Sequence, residues 1–126
     1  MKEILYKGIF EITPEKEDSI GNDPIHVKDA WLAGNLLTFE LQYYGNSKVH
    51  YINLVKKPGV VTAQDEPVVL ELRHNNRTDE PVVPMTALVT FNLDAIKIDG
   101  KNSVNFKVVG KDFNGAKYED TGVFKY

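Results

Sequence analysis

Apolar and polar residues alternate in short runs between turn-forming residues, and sustained helical periodicity is scarce, which is the pattern of an all-β chain. The clearest run is Leu36 to Tyr44, with Leu37, Phe39, Leu41 and Tyr43 on one side and Thr38, Glu40 and Gln42 on the other. Gly45-Asn46 follows, then Lys48 to Val55. A Gly-first two-residue loop suits a type II′ turn, so these two runs are expected to pair as a hairpin. In that register Leu37 opposes Leu54, Phe39 opposes Ile52 and Leu41 opposes His50, so turn chemistry and hydrophobic parity agree.

Val68, Leu70, Leu72 and His74 share a face in the next run, and Ala87, Val89, Phe91 and Leu93 in the one after it, before a turn at Asp99-Gly100. Asn114-Gly115 is the strongest hairpin signal, downstream of Val104, Phe106 and Val108. A plain two-residue loop there opposes Phe106 to Val123 and leaves Phe124 and Tyr126 on the polar side. One extra residue, at Gly110 or Gly122, is therefore expected as a bulge that brings Phe106 opposite Phe124. Glu3 to Ile12 reads as a strand with apolar residues on both parities, Ile4, Tyr6, Phe10 and Ile12 against Leu5 and Ile9. Residues 14–24 and 56–67 read as loops, and Ile25–Leu32 as a strand.

Seven to eight short strands with long polar connections predict a two-sheet antiparallel β-sandwich, immunoglobulin-like in general architecture, with a closed barrel as the alternative. The expected core is Leu37, Phe39, Leu41, Ile52, Leu54, Leu70, Leu72, Val89, Phe91 and Phe106. The 126 residues fit one domain, with 42% hydrophobic and 26% charged residues, enough to bury a core without staples. A net charge of −3 without a basic stripe argues against nucleic acid, and the absence of cysteine excludes disulfides, zinc-thiolate sites and thiol nucleophiles. The start, Met1 to Tyr6, lacks the pattern of a secretory signal.

His50 and His74 occupy positions whose parity neighbours are apolar. Two readings compete: a metal-ligand pair or general base, and two partly buried imidazoles hydrogen-bonded to backbone or to a neighbouring Asn or Asp. The second is favoured, because no third ligand or acidic partner is fixed by spacing. Pairing Leu54 with Leu70 and Ile52 with Leu72 would set His50 opposite His74, with at least one ring neutral at pH 7. The densest polar stretch is Arg73 to Glu80. Asn75, Asn76, Asp79 and Glu80 carry oxygens suited to calcium, but without a calcium-loop spacing they read as a turn. The candidate polar cluster is thus His50, Arg73, His74, Asn75 and Asp79.

Trp31, Tyr43, Tyr44 and Tyr51 are the candidate stacking aromatics. Trp31 shares the parity of Ile25 and Val27 and is expected in the core, whereas Tyr44 is the surface candidate. Nucleophile elbows, phosphate loops and dinucleotide fingerprints are absent, so no catalytic residue, cofactor or metal is assigned and a hydrolase with an unrecognised site stands last.

The succession Gly21-Asn-Asp-Pro-Ile, Trp31, Tyr43-Tyr-Gly, His50-Tyr-Ile-Asn-Leu-Val and Glu71-Leu-Arg-His-Asn resembles the C-terminal β-sandwich domain of NigD-like proteins from roughly Gly21 to Tyr126. That resemblance implies a cell-envelope lipoprotein of Bacteroides-type bacteria, whose larger members carry an N-terminal OB-type domain absent from this chain. It further implies a chain that begins after the signal, the lipidated cysteine and that domain, with contact to the membrane only through the anchor. On this basis Leu5 or Ile9 is expected to be exposed, where the missing domain would pack. The implied function is a non-enzymatic interaction or scaffold domain with a protein or glycan partner, the rival being a carbohydrate-binding module. The family's link to a bacteriocin gene cluster makes a role in immunity or export conceivable.

Overall fold

The computed structural model describes residues 3–11, 13, 15, 19–56 and 67–126, apart from the side chains of residues 3–6, 10 and 11. Its strands are β1 (Glu3–Gly8), β2 (Phe10–Glu11), β3 (His26–Ala33), β4 (Leu36–Gly45), β5 (Tyr51–Lys56), β6 (Val68–Asn75), β7 (Val83–Asn92), β8 (Ser103–Lys111) and β9 (Lys117–Lys125). They form a sandwich of two sheets, in the orders β1-β7-β4-β3 and β2-β5-β6-β8-β9. Most pairs are antiparallel, but β1–β7, β2–β5 and β6–β8 run parallel. The ten residues expected in the core are all buried in one cluster between the sheets.

β1 and β2 follow one another along the chain, pairing with β7 in one sheet and with β5 in the other, so the segment lies along the edges of both layers. Ile9 is half-buried against the core, and the side chain of Leu5 lies outside the described residues, so the expectation that one of the two is exposed is left open. Lys7 Nζ donates to the Ile52 carbonyl at 2.7 Å, supplying a donor to β5 where β2 does not reach.

The expected hairpin of β4 with β5 does not form. β4 lies between β3 and β7 in one sheet, and β5 belongs to the other. The inward faces of both strands meet in one core, so parity cannot distinguish a neighbour within a sheet from a residue in the facing layer. Gly45 continues β4 opposite Val83 and the chain then crosses between layers. A two-residue Gly-Asn hairpin does exist, at Gly34-Asn35, where Gly34 has φ +62 and joins β3 to β4.

Trp31 is 45% exposed rather than buried. A β-bulge between Val27 and Asp29 shifts the register, so that Val27 faces Leu41 before it and Ala30 and Leu32 face Phe39 and Leu37 after it. The parity inferred from Ile25 and Val27 therefore inverts at Trp31. Acrylamide is expected to quench the emission of this single tryptophan in the folded protein nearly as well as in urea; strong protection would place the indole in the core after all.

Asn114-Gly115 forms a tight turn, with φ of +59 and +77 and the Ala116 amide on the Phe113 carbonyl. The extra residue is Phe113, which makes the loop three residues long: the Asp112 amide bonds to the Ala116 carbonyl in the same register that sets Lys111 opposite Lys117. Neither Gly110 nor Gly122 supplies the bulge. Phe124 turns inward as expected, but it opposes Val104, and Phe106 opposes Gly122. A Cβ on Gly122 would lie 2.6 Å from the Phe106 ring, so the ring occupies the space left by the missing side chain. Gly122→Val is expected to destabilise by about 1–3 kcal/mol through overpacking, read as a fall in the urea midpoint.

Candidate functional site

β5 and β6 pair with Leu54 opposite Leu72 and Ile52 opposite His74, two residues away from the expected register but on the same parity. His50 therefore lies just beyond the start of β5 and approaches His74 diagonally, inside the end of the sandwich. His50 Nδ1 and His74 Nε2 are 2.8 Å apart, and the rings stack at an interplanar angle of 26°. His50 Nε2 lies 2.8 Å from Asp79 Oδ2, and His74 Nδ1 lies 2.9 Å from the Pro24 carbonyl. All four ring nitrogens are thus engaged. Tyr43, inward from β4, places its ring 4.6 Å from that of His50 and 5.1 Å from that of His74.

Asp79 anchors the chain as it crosses from β4 to β5: the Asn46 amide donates to Oδ2 at 2.7 Å and the Ser47 amide to Oδ1 at 3.2 Å. Burial favours its neutral acid, but hydrogen bonds from His50 and the backbone amides of Asn46, Ser47 and Lys48 overcome this and hold the carboxyl well below its ordinary range. For His74, burial is the largest influence and pushes its pKa down, assisted by the charge of His50 and opposed by the Pro24 carbonyl and by Asp23. Gly45 leaves room for this pairing, since a Cβ there would sit 3.0 Å from both Asp79 Oδ2 and His50 Nε2.

The turn that delivers Asp79 is strained. Arg77 and Thr78 have φ of +55 and +57, an arrangement in which a β-branched residue is rare. Its oxygens are committed locally. Asn75 Oδ1 accepts from the Arg77 amide, Asn76 Oδ1 from the Thr78 amide, and Asp79 is held as described. Lys48 Nζ adds bonds to the Arg77 carbonyl and Thr78 Oγ1.

Of the candidate cluster, His50, His74 and Asp79 come together, Asn75 ends β6 beside them, and Arg73 does not join them. Arg73 points to the opposite face of β6, where Nε donates to the Gly21 carbonyl at 2.7 Å under the loop preceding β3. The same loop donates the Asp23 amide to the His74 carbonyl at 2.7 Å, and Asp23 Oδ2 accepts from the Asn76 amide. Asp23 and Pro24 are site residues that sequence reasoning left in a loop. The Gly-Asn-Asp-Pro run was a turn signal, but nothing local indicated what it would pack against.

Tyr44 is 49% exposed and stands beside a cleft of about 160 Å3 lined by Pro24, His74, Asn76, Pro81 and Phe113. Phe113, 5.7 Å from Tyr44, also stacks on His26, which pairs with Asp112 at 3.2 Å. Among the described residues no group of three or more His, Cys, Asp or Glu is arranged to hold a metal ion, and no helix is long and apolar enough to cross a membrane.

The fold and site define a two-sheet β-sandwich domain whose buried polar cluster is engaged in holding its own backbone. The chain belongs to the family of the NigD-like C-terminal β-sandwich domain, which matches residues 8–125. No curated protein of assigned function matches it. Its fold recurs in a structure from Parabacteroides distasonis described as toxin-related, at 24% identity and TM-score 0.77, covering 97% of this chain and 61% of that one. It also recurs in a protein of unknown function from Bacteroides vulgatus, at 26% identity and TM-score 0.76, covering 98% and 57%. A NigD-like immunity protein from Bacteroides caccae is similar at 20% identity and TM-score 0.74, covering 94% and 60%. The chain thus spans about three fifths of the length of these relatives, and neither the family nor the structures indicate a catalysed reaction.

Proposed function

We propose that this domain is a non-enzymatic interaction module of the bacterial cell envelope that docks a protein partner at the end of the sandwich carrying the histidine cluster. The observation that carries this reading is the concentration of exposed apolar side chains there: Val49 and Val82 are 70% and 62% exposed, with Tyr44, Tyr51, Val83 and Met85 also open to solvent. They flank the Asp79-anchored crossing, since Val82 donates to the Gly45 carbonyl and Arg77 covers the Tyr51 ring at 4.9 Å. Exposed apolar residues on a rigidly held rim are the ordinary composition of a recognition surface. The histidine cluster itself offers no free ring nitrogen for general base work. The envelope setting comes from the family resemblance, and the immunity name of one structural relative accords with a protein partner.

The test is capture from bacterial envelope extract by the full-length protein and by its Val49→Ser/Val82→Ser variant. A partner retained by the first and lost by the second, with thermal stability unchanged, is the expected result. Equal capture by both would remove this end as the docking surface.

A second reading, carbohydrate binding, is favoured by the placement of Tyr44 and Asn76 on one cleft, an aromatic face beside a carboxamide. It predicts a glycan-array hit abolished by Tyr44→Ala. An array without hits would leave the protein-docking reading alone.

A further inference from the structure

The chain of hydrogen bonds through the two histidines begins and ends on acceptors, the Asp79 carboxylate and the Pro24 carbonyl. Three bonds link them: carboxylate to His50, His50 to His74, and His74 to carbonyl. Each bond requires one proton. Two neutral imidazoles carry only two, so whichever tautomers are chosen one bond would set two lone pairs against each other. Two fully protonated rings carry four, so the central bond would set two N–H groups against each other. We propose that His50 and His74 share a single extra proton, and that this imidazole–imidazolium pair, neutralised by Asp79, is a buried proton lock on the chain crossing from β4 to β5.

The surroundings fit one positive charge and not two. Asp79 faces the pair from the turn after β6, and its carboxylate form is also required by the Asn46 and Ser47 amides. Asp23 lies beside His74 from the loop preceding β3, with its carboxylate committed to the Asn76 amide. Tyr43 packs against both rings from β4, tilted by 33° to one and 50° to the other. Lys48 and Arg77 direct their charges outward, to the Arg77 carbonyl and the Tyr51 ring. Arg73 is on the other face of β6.

Stability then depends on pH on both sides of a maximum. In the unfolded chain the two rings each titrate near about 6.5 and together bind between zero and two protons. The folded pair holds one. Above about 6.5 the folded state binds more protons than the unfolded, so stability falls as pH rises; below it the unfolded state binds more, so stability falls as pH drops. Each limb approaches about a tenfold change in the unfolding equilibrium constant per pH unit. The lowered pKa of His74 favours the acid limb, since burial and the neighbouring His50 resist the second proton. The carboxylate contribution of Asp79 persists through this range and is lost only as pH falls through its depressed folded value.

The experiment is 15N NMR of the ring nitrogens at pH 7.5, with urea unfolding from pH 5 to 9 for the wild type and Asp79→Asn. Three of the four ring nitrogens are expected to show N–H character. An asparagine that turns its amide nitrogen to His50 Nε2 gives up the acceptor of the Asn46 amide, which lowers stability at every pH, but it lets two neutral rings satisfy all three bonds of the histidine chain. The alkaline limb should vanish, stability rising through about pH 6.5 to a plateau. His26 is common to both proteins and cancels in the comparison. Two or four N–H nitrogens in the wild type, or the same pH profile in both proteins, would overturn the proposal. If the variant does not fold, the nitrogen count alone decides. Faster amide exchange at Asn46 and Ser47 above pH 8, beyond the intrinsic rise, would extend the lock to the docking rim. That consequence rests on the protein-docking reading, whereas the proton count is measured without any partner.

Discussion

Replacing His74 with alanine is expected to cost about 3–5 kcal/mol of folding stability, one of the two largest losses among the substitutions considered. The side chain is only 2% exposed and fills the end of the core beneath Tyr43. Its removal leaves a cavity and also leaves His50 Nδ1 and the Pro24 carbonyl without partners. A cavity alone accounts for part of the loss, and each unsatisfied buried group adds about 1–3 kcal/mol. Urea unfolding should show a lower midpoint at unchanged slope, since the surface exposed on unfolding hardly changes. A loss below about 1 kcal/mol would mean that the loops at this end are held by other contacts.

The other large loss is expected for Gly21→Ala. Gly21 has φ +67, and a Cβ there would lie 2.8–2.9 Å from Asn75 Cβ and Cα and from the His74 carbonyl. Left-handed backbone costs a residue with a Cβ about 1–2 kcal/mol. The clash adds about 1–3 kcal/mol, because backbone on a central strand has little room to give. Together they predict a loss of about 2–5 kcal/mol. The loop carries the Gly21 carbonyl that receives Arg73, the Asp23 amide and the Pro24 carbonyl, so its displacement should also open the histidine cluster. Hydrogen exchange at the Asp23 amide is the direct measurement. A variant as stable as the wild type, with that amide still protected, would show that the loop does not depend on close approach to β6.

Much of the candidate site was legible because its residues break a pattern. His50 and His74 stand where the alternation calls for apolar side chains, and a polar residue on an inward position needs a partner. Spacing could not name that partner. Asp79 follows a turn with two positive φ values, and its bond to His50 spans 29 residues. Arg73 reads as part of the same polar stretch, but successive residues of a strand point to opposite faces, which separates it from His74. Trp31 failed for a related reason: one extra residue in β3 inverts every parity beyond it, and no local feature of Val-Lys-Asp marks the bulge.

Which residues face inward is a local property, set by the two-residue period of an extended chain, and the sequence by itself determined it for the ten core residues from Leu37 to Phe106 and for both histidines, though not for Trp31 beyond the bulge. The all-β class and the Asn114-Gly115 turn were local in the same sense. Which sheet each strand joins was decided only by the tertiary structure. Of the two Gly-Asn dipeptides at the ends of β4, positions 34–35 and 45–46, only the first is a hairpin. At the second, the free amides of Asn46 and Ser47 are taken by Asp79 from more than thirty residues away, which turns the chain across the core into the other layer. A two-layer fold buries both inner faces in one core, so hydrophobic burial is satisfied by either assignment, and the choice falls to long-range hydrogen bonds that no window of sequence contains.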